Sequence, residues 1–318
     1  MTHIGCGTNP LHPREGKCPG GLRQNWGYDN ASPVQAWWMD RGKEVAEKIM
    51  TSSTFGTRVK SSLRHYRVET RLAKPFPQTV HGFSLMGSQA MVDGTFEPEE
   101  TAIFQRCIQD YDVVVNIGAN VGYYCCLALK AGKRVIAFEP HPTNLKILYA
   151  NLWANGWQDQ VEIYPVALAD KPGIVRMFGC GTGASLVEGW AGAHDFTLVP
   201  ALALDTLLEN RFPSERIFFL MDVEGAEWFV LQGAKRVLAK QPKPQWMVEI
   251  AVQEHQPSGV KINPYLLQTF ELFWEHGFEA WTAVEDSRKI DCDEIAEIIR
   301  SGTDSLGTHN FLFREPGF

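Results

Sequence analysis

The sequence predicts an α/β fold in which helices cover both faces of a largely parallel β-sheet, preceded by a mainly helical or irregular N-terminal extension. From residue 99 onward, short apolar runs of strand length alternate with amphipathic runs of helix length, which is typical of strands joined by crossover helices. The 318 residues are 44% hydrophobic and 21% charged, so the chain can bury a core and is not disordered as a whole.

Basic and acidic residues are distributed unevenly along the chain. Residues 1–75 contain 12 basic and 6 acidic side chains, whereas residues 76–318 contain 18 and 31, so the net charge of −7 combines +6 with −13. An acidic total argues against a nucleic-acid partner. The seven cysteines form no CxxC pair or Cys/His cluster, which predicts reduced thiols in a cytoplasmic protein and no metal site. No apolar run has the length of a membrane span, so no membrane association is expected.

We therefore predict an extension over residues 1–78 and one α/β domain over residues 79–318. In the extension, Val34 to Met50 has the pattern of a helix, with Ser32 as its cap and Pro33 in its first turn. The basic stretch from Gly56 to Lys74 is typical of a solvated helical face, although a contact with an acidic substrate, a carrier or a nucleic acid remains an alternative. Val80–Leu85 and Gln89–Val92 have the composition of a strand pair.

Eight strands and four helices are predicted from their periodicity, with six or seven of the strands in one sheet. The run Asp112–Ile117 is so apolar and β-branched that it suits the middle of a covered sheet. Glycines after the first two domain helices, Gly132 and Gly156, are typical helix ends. The other predicted strands are Arg134–Phe138, Val161–Tyr164, Ile174–Phe178, Ile217–Val223, Gln245–Val252, Phe278–Ala283 and Asn310–Arg314. The predicted helices are Asn120–Leu129, Pro142–Trp153, Glu227–Leu238 and Pro264–His276.

The strongest functional signal is Asn116-Ile-Gly-Ala-Asn-Val-Gly122, where the first strand ends. Glycines at such a turn let the backbone approach a ligand, and Glu139 at the end of the second strand can accept hydrogen bonds from ribose hydroxyls. The spacing Gly118-x-x-x-Gly122 departs from the G-x-G-x-x-G pattern of dinucleotide sites. It favours S-adenosylmethionine, which has no phosphate, over NAD.

Six motifs in this order resemble those of the FkbM family of S-adenosylmethionine-dependent methyltransferases. The resemblance extends from about residue 80 to residue 313, and the lead-in Gly94-Thr-Phe-Glu-Pro-Glu-Glu is also similar. The sequence has Asn116 where the family usually has Asp, and Met221 where it usually has Lys. The motifs are Asn116-Ile-Gly-Ala-Asn-Val-Gly-Tyr-Tyr, Phe138-Glu-Pro, Val166-Ala-Leu, Ala203-Leu-Asp-Thr-Leu, Asp222-Val-Glu-Gly-Ala-Glu and Val248-Glu-Ile.

The resemblance implies a Rossmann-like class I methyltransferase domain that methylates a hydroxyl of a sugar, polyketide or other secondary metabolite. A small-molecule or glycan acceptor is expected, and a homodimer is compatible with it. Asp170 is placed either near the adenine or in a simple turn. The residues expected to bind the cofactor are Glu97, Asn116, Gly118, Ala119, Asn120, Gly122, Tyr123, Glu139, Pro140, Ala167 and Asp222.

Four residues are candidates for catalysis. Asp222 and Glu224 follow a core strand, where open α/β sheets place reacting groups, although capping of the next helix would also explain them. Glu249 ends an apolar strand, and His255 lies in a loop with a reference pKa of about 6.5 that suits a general base. Trp190 is expected in a mobile substrate loop. The alternatives are an NAD- or nucleotide-sugar-dependent oxidoreductase and a non-catalytic binding module of the same fold.

Overall fold

An eight-stranded sheet forms the centre of the computed structural model, which describes residue 66 and residues 68–317. The strand order is β10-β9-β11-β8-β7-β1-β2-β3. Strands β8, β7, β1, β2 and β3 are parallel, and β11 runs antiparallel between β8 and β9. The strands are β1 (Val113–Ile117), β2 (Arg134–Phe138), β3 (Val161–Tyr164), β4 (Ala167–Leu168), β5 (Gly173–Phe178), β6 (Phe196–Leu202), β7 (Ile217–Met221), β8 (Gln245–Glu249), β9 (Glu279–Thr282), β10 (Lys289–Ile290) and β11 (Asn310–Arg314).

Helices cover both faces of this sheet, because alternate side chains of each strand point to opposite sides. In β1, Val113, Val115 and Ile117 join one core, while Val114 joins the other. Helices α1–α4 pack on the Val114 side and α5–α9 on the opposite side. The helices are α1 (Gln89–Asp93), α2 (Pro98–Cys107), α3 (Tyr123–Lys130), α4 (Pro142–Ala154), α5 (Leu204–Leu208), α6 (Glu227–Gln232), α7 (Lys235–Leu238), α8 (Leu266–Glu275) and α9 (Cys292–Ser301).

This topology confirms the predicted fold class, a Rossmann-like α/β sheet with helices on both faces. Five parallel strands with β1 at their centre place the β1, β2, β7 and β8 carboxyl ends along one edge. Ligands of open α/β sheets bind at that edge. The helix predicted at Val34–Met50 and most of the basic stretch lie outside the described residues.

The strand pair predicted at the start of the α/β domain, Val80–Leu85 and Gln89–Val92, is wrong. Gln89–Asp93 is the helix α1, in which the Ser88 hydroxyl accepts a hydrogen bond from the Met91 amide at 3.3 Å and Gly94 ends the helix at φ +73°. The Val80–Leu85 segment forms only an isolated bridge between Gln78 and Ser84. Capping chemistry thus outweighed the strand-like composition.

The count of six or seven strands in a single sheet is also wrong. The main sheet has eight strands, and β4, β6 and β5 form a separate three-stranded sheet. The sequence pattern predicts none of β4, β6 and β10. The helix predicted over Glu227–Leu238 is divided into α6 and α7 at Gly233, where a Cβ would overlap the carbonyl oxygen of Ala169. In the described part of the chain, no helix is both long and apolar enough to cross a bilayer.

Candidate active site

Two glycines bring three strand ends together. Gly118 has φ +85°, and a Cβ there would overlap the carbonyl oxygen of Asp222 at the end of β7. The amides of Gly118 and Ala119 both donate to the Phe138 carbonyl at the end of β2, at 3.0 and 2.9 Å. Gly122 has φ +88°, and a Cβ there would overlap Leu148 of α4. The glycine turn therefore sets how closely β1, β2 and β7 approach each other.

Glu139 is buried at the end of β2. Its Oε2 accepts from the Asn120 amide at 2.7 Å, and its Oε1 accepts from the His141 amide at 2.7 Å and from Asn144 Nδ2 at 3.4 Å. Burial raises the pKa of Glu139 to about 7, although these hydrogen bonds oppose the rise. A carboxylate offers about four acceptor positions. One position therefore remains for a donor from a ligand.

A first cleft opens beside Glu139, with a volume of about 550 Å³ including its mouth. Apolar side chains form much of its wall, which suits a flat apolar group. Glu224 lines this cleft. Six of the residues predicted to bind the cofactor also line it: Gly118, Asn120, Glu139, Pro140, Ala167 and Asp222.

A second cleft, of about 520 Å³ including its mouth, lies on the other side of the β1 turn. It shares Gly118, Asn120 and Asp222 with the first cleft. The other predicted site residues in its lining are Glu97, Asn116, Ala119, Tyr123 and Glu249. Gly122 lines neither cleft, and neither does Asp170.

The charged side chains that line the second cleft, Glu97, Asp222 and Glu249, are all carboxylates. Burial, followed by repulsion from Glu97, raises the pKa of Glu249 to about 8. Burial and the charge of Glu249 raise the pKa of Asp222 well above its ordinary value. Burial also raises the pKa of Glu97, although the Tyr124 hydroxyl donates to its Oε2 at 2.7 Å. No Lys or Arg of the described chain lines this cleft, so it favours a positively charged ligand.

Two buried acceptors in the shared region of the clefts lack a hydrogen bond. Within the described residues, neither Asn120 Oδ1 nor Asp222 Oδ1 has a donor. Because unpaired buried acceptors are costly, these atoms point to a ligand with N–H or O–H groups. The described residues contain no group of three or more side chains suited to hold a metal ion.

Comparison with known families matches the methyltransferase FkbM domain to residues 116–280, just over half of the chain. The chain belongs to the FkbM methyltransferase family. This membership does not support the oxidoreductase alternative. No curated protein matches the chain.

Several solved structures are similar to this FkbM chain. A methyltransferase FkbM from Methylobacillus flagellatus KT is 18% identical, with a TM-score of 0.35 over 60% of this chain and 49% of its own, so this chain spans about half its length. An O-methyltransferase from Bacillus cereus in complex with SAH is 14% identical, with a TM-score of 0.41 over 71% and 84%. A precorrin-6y C5,15-methyltransferase from Geobacter metallireducens GS-15 is 14% identical, with a TM-score of 0.35 over 62% and 78%.

Two predicted residues of the FkbM domain, Trp190 and His255, line neither cleft. The indole of Trp190 is only 2% exposed, so it is not a free side chain of a substrate loop. His255 has φ +61°, and its carbonyl accepts from the Ala191 amide at 2.8 Å. Its ring lies 6.0 Å from that of Trp190 and lines neither cleft. The His255 ring therefore packs beside Trp190 and not in the lining of either cleft.

Sequence reasoning missed Glu227, which belongs to the Asp222-Val-Glu-Gly-Ala-Glu motif. This carboxylate is 2% exposed and accepts from the Gly225 amide at 2.9 Å. Burial raises its pKa to about 7. Because Glu227 belongs to this motif, the motif itself was the signal in the sequence that could have indicated its role. Glu227 shapes the turn that carries Asp222 and Glu224.

Proposed function

We propose that this protein is an S-adenosylmethionine-dependent methyltransferase that methylates a hydroxyl of a small-molecule or glycan acceptor. The observation that carries the proposal is the meeting of an apolar cleft and an acidic cleft at Gly118, Asn120 and Asp222. The cofactor has an apolar adenine at one end and a methionine half of net positive charge at the other, with a sulfonium, an ammonium and one carboxylate. The adenine suits the apolar cleft, and the net positive half suits the acidic cleft.

The residues present fit this cofactor. Glu139 retains an acceptor position for a ribose hydroxyl, and Pro140, Ala167 and neighbouring side chains would hold the adenine. Asp222 and Glu97 would hold the ammonium group, and Asp222 Oδ1 would then gain its missing donor. Bound S-adenosylmethionine supplies a methyl group on a positively charged sulfur.

Glu249 is the best placed general base in the second cleft. A carboxyl with its ordinary pKa near 4.5 holds a proton too weakly for efficient removal of a hydroxyl proton, whereas a pKa of about 8 lies near a neutral working pH. A positive charge bound beside Glu249 lowers this pKa and favours the carboxylate that accepts the proton. Asp222 and Glu97 interact with the same positive charge, which limits its effect on Glu249. The pKa of Glu249 therefore stays close to neutral pH. The remaining walls orient the acceptor oxygen and exclude water.

Calorimetry with S-adenosylhomocysteine and a labelled-methyl assay with an acceptor library test the proposal. We expect the protein to bind S-adenosylhomocysteine and an acceptor to gain about 14 Da, the mass of one CH₂ in the displacement proposed. Glu249→Gln should lower turnover at least about 100-fold while S-adenosylhomocysteine still binds. Glu275→Gln, an exposed carboxylate on α8, is the matched control.

Each component of the proposal has an outcome that contradicts it. Absence of S-adenosylhomocysteine binding would exclude the cofactor assignment. Binding without methyl transfer to any acceptor would favour the non-catalytic module, and unchanged turnover of Glu249→Gln would move the base to Asp222. A methylated amine or carbon would contradict O-methylation. The cytoplasmic location stays a prediction that fractionation of the producing cells can check.

A further inference from the structure

One tryptophan, Trp190, connects the turn after β7, which carries Asp222 and Glu224, to a neighbouring loop. We call residues 179–193 the Trp190 loop. The indole of Trp190 packs directly on Gly225, where φ is +89° and any Cβ would overlap the ring. Gly225 is therefore required for the ring to reach this position. The contact places the Trp190 loop against the turn that carries Asp222 and Glu224.

Hydrogen bonds from the loop hold Glu224 at two points. Trp190 Nε1 donates to Glu224 Oε2 at 2.8 Å, and the Ser185 hydroxyl donates to the Glu224 carbonyl at 2.6 Å. Glu224 has φ +55°, a left-handed conformation that residues with a side chain adopt only when their surroundings enforce it. Together with the bond from Gly225 to Glu227, these contacts enforce the conformation of the turn.

The same loop forms part of the wall of the first cleft, through Gly181, Thr182, Ala184 and Leu186. Asn144 of α4 donates to the Gly181 carbonyl at 3.0 Å, which ties the start of the loop beside Glu139. Trp190 ties its far end to Glu224. One segment thus spans the cleft between the carboxylates that follow β2 and β7.

We propose that Trp190 is a positioning residue of the methyltransferase site, whose indole N–H orients the Glu224 carboxylate and holds the Trp190 loop as a wall of the first cleft. The inference rests on the proposed function, because the first cleft is the one assigned to the adenosine half of the cofactor. A residue that acts through the cleft wall should control cofactor affinity more than turnover at saturating cofactor.

Trp190→Phe tests this role, because it keeps an aromatic ring and removes the donor. We expect the Kd for S-adenosylhomocysteine to rise about tenfold, the scale for a lost hydrogen bond to a charged group. Ser185→Ala, a smaller change, should shift the Kd in the same direction. Glu224→Gln retains an acceptor for the indole and should therefore weaken binding less than Trp190→Phe does.

Trp246→Phe is the matched control. Trp246 is also fully buried, but its indole N–H has no hydrogen-bond partner in the described part of the chain. The control should lower the melting temperature and leave the Kd unchanged. An unchanged Kd in Trp190→Phe, or an equal rise in both variants, would overturn the proposal.

Amide hydrogen exchange of Gly225 provides a reading that needs no cofactor. Faster exchange in Trp190→Phe, without a change in Trp246→Phe, supports the positioning role. Unchanged exchange in both variants contradicts it. If the unmodified protein binds no S-adenosylhomocysteine, the proposed function fails, while this exchange measurement still decides whether Trp190 holds the turn.

Discussion

At the scale of single residues, Gly118 fulfils a steric requirement at the centre of the site. Its amide and that of Ala119 contact the end of β2, while its Cα faces the carbonyl of Asp222 after β7. The glycine therefore does more than leave room for a ligand. It allows three strands to end within contact distance, which places Glu139 and Asp222 on either side of one turn.

Gly118→Ala should unfold the protein more readily than Gly132→Ala. Both glycines have a left-handed φ, +85° and +76°, but a Cβ at Gly132 meets no atom within 4 Å. The Gly132 variant should lose only about 1 to 2 kcal/mol of unfolding free energy from backbone strain. The Gly118 variant should lose more, because the Asp222 carbonyl must also shift. Urea denaturation measures both, and equal losses would show that overlap with Asp222 has no cost.

At the scale of elements, side chains of helix α4 make the hydrogen bonds to the backbone before α1 that a neighbouring strand would otherwise make. Asn151 Oδ1 accepts from the Met86 amide at 2.6 Å, and its Nδ2 donates to the Met86 and Val121 carbonyls at 3.0 and 2.8 Å. Asn155 makes the same pair of contacts with Ser84. Because two side chains satisfy this backbone, the segment needs no neighbouring strand.

Asn151→Ala should lower the unfolding free energy by about 3 kcal/mol, since it leaves buried backbone groups without partners. Asn210→Ala is the control, because Asn210 is exposed and its side chain bonds to the adjacent Glu209. It should change stability by less than about 0.5 kcal/mol. Thermal unfolding of both variants checks this difference. A small loss in Asn151→Ala would mean that water replaces the amide.

At the scale of the whole molecule, buried carboxyl groups make stability depend on pH. The pKa values of Glu139 and Glu227 are raised to about 7 and that of Glu249 to about 8, in each case mainly by burial. Between pH 4.5 and these values, the folded protein holds more protons than the unfolded chain. The stability that the protonated groups contribute is complete below about pH 4.5 and is lost as pH rises through 7 to 8.

The unfolding free energy of the ligand-free protein should therefore fall from pH 5 to pH 8. Glu227→Gln should flatten this profile by on the order of 3 kcal/mol, because a shift from 4.5 to about 7 is removed. The amide still offers an oxygen to the Gly225 N–H. Glu275→Gln, at an exposed position, should leave the profile unchanged. Denaturant unfolding at several pH values measures the slopes, and parallel profiles for Glu227→Gln and the unmodified protein would contradict the assignment.

The sequence by itself determined the parallel sheet, the glycine turn and the carboxylates at the strand ends. These features depend on local patterns: β-branched runs, Gly118 and Gly122, and acidic residues directly after apolar strands. The parallel order of the strands then brings those ends to one edge. The positions of Glu139, Asp222 and Glu249 at strand ends therefore follow from the sequence alone.

Only the tertiary structure decided which of these residues face each other and what holds them. Tyr124 bonds to Glu97, Trp190 to Glu224 and Asn151 to Met86, and the members of these pairs lie 27 to 65 residues apart. The small sheet of β4, β5 and β6 likewise depends on pairing across a loop. Such contacts leave no periodic signal, because each depends on the packing of the whole core rather than on neighbours in the chain.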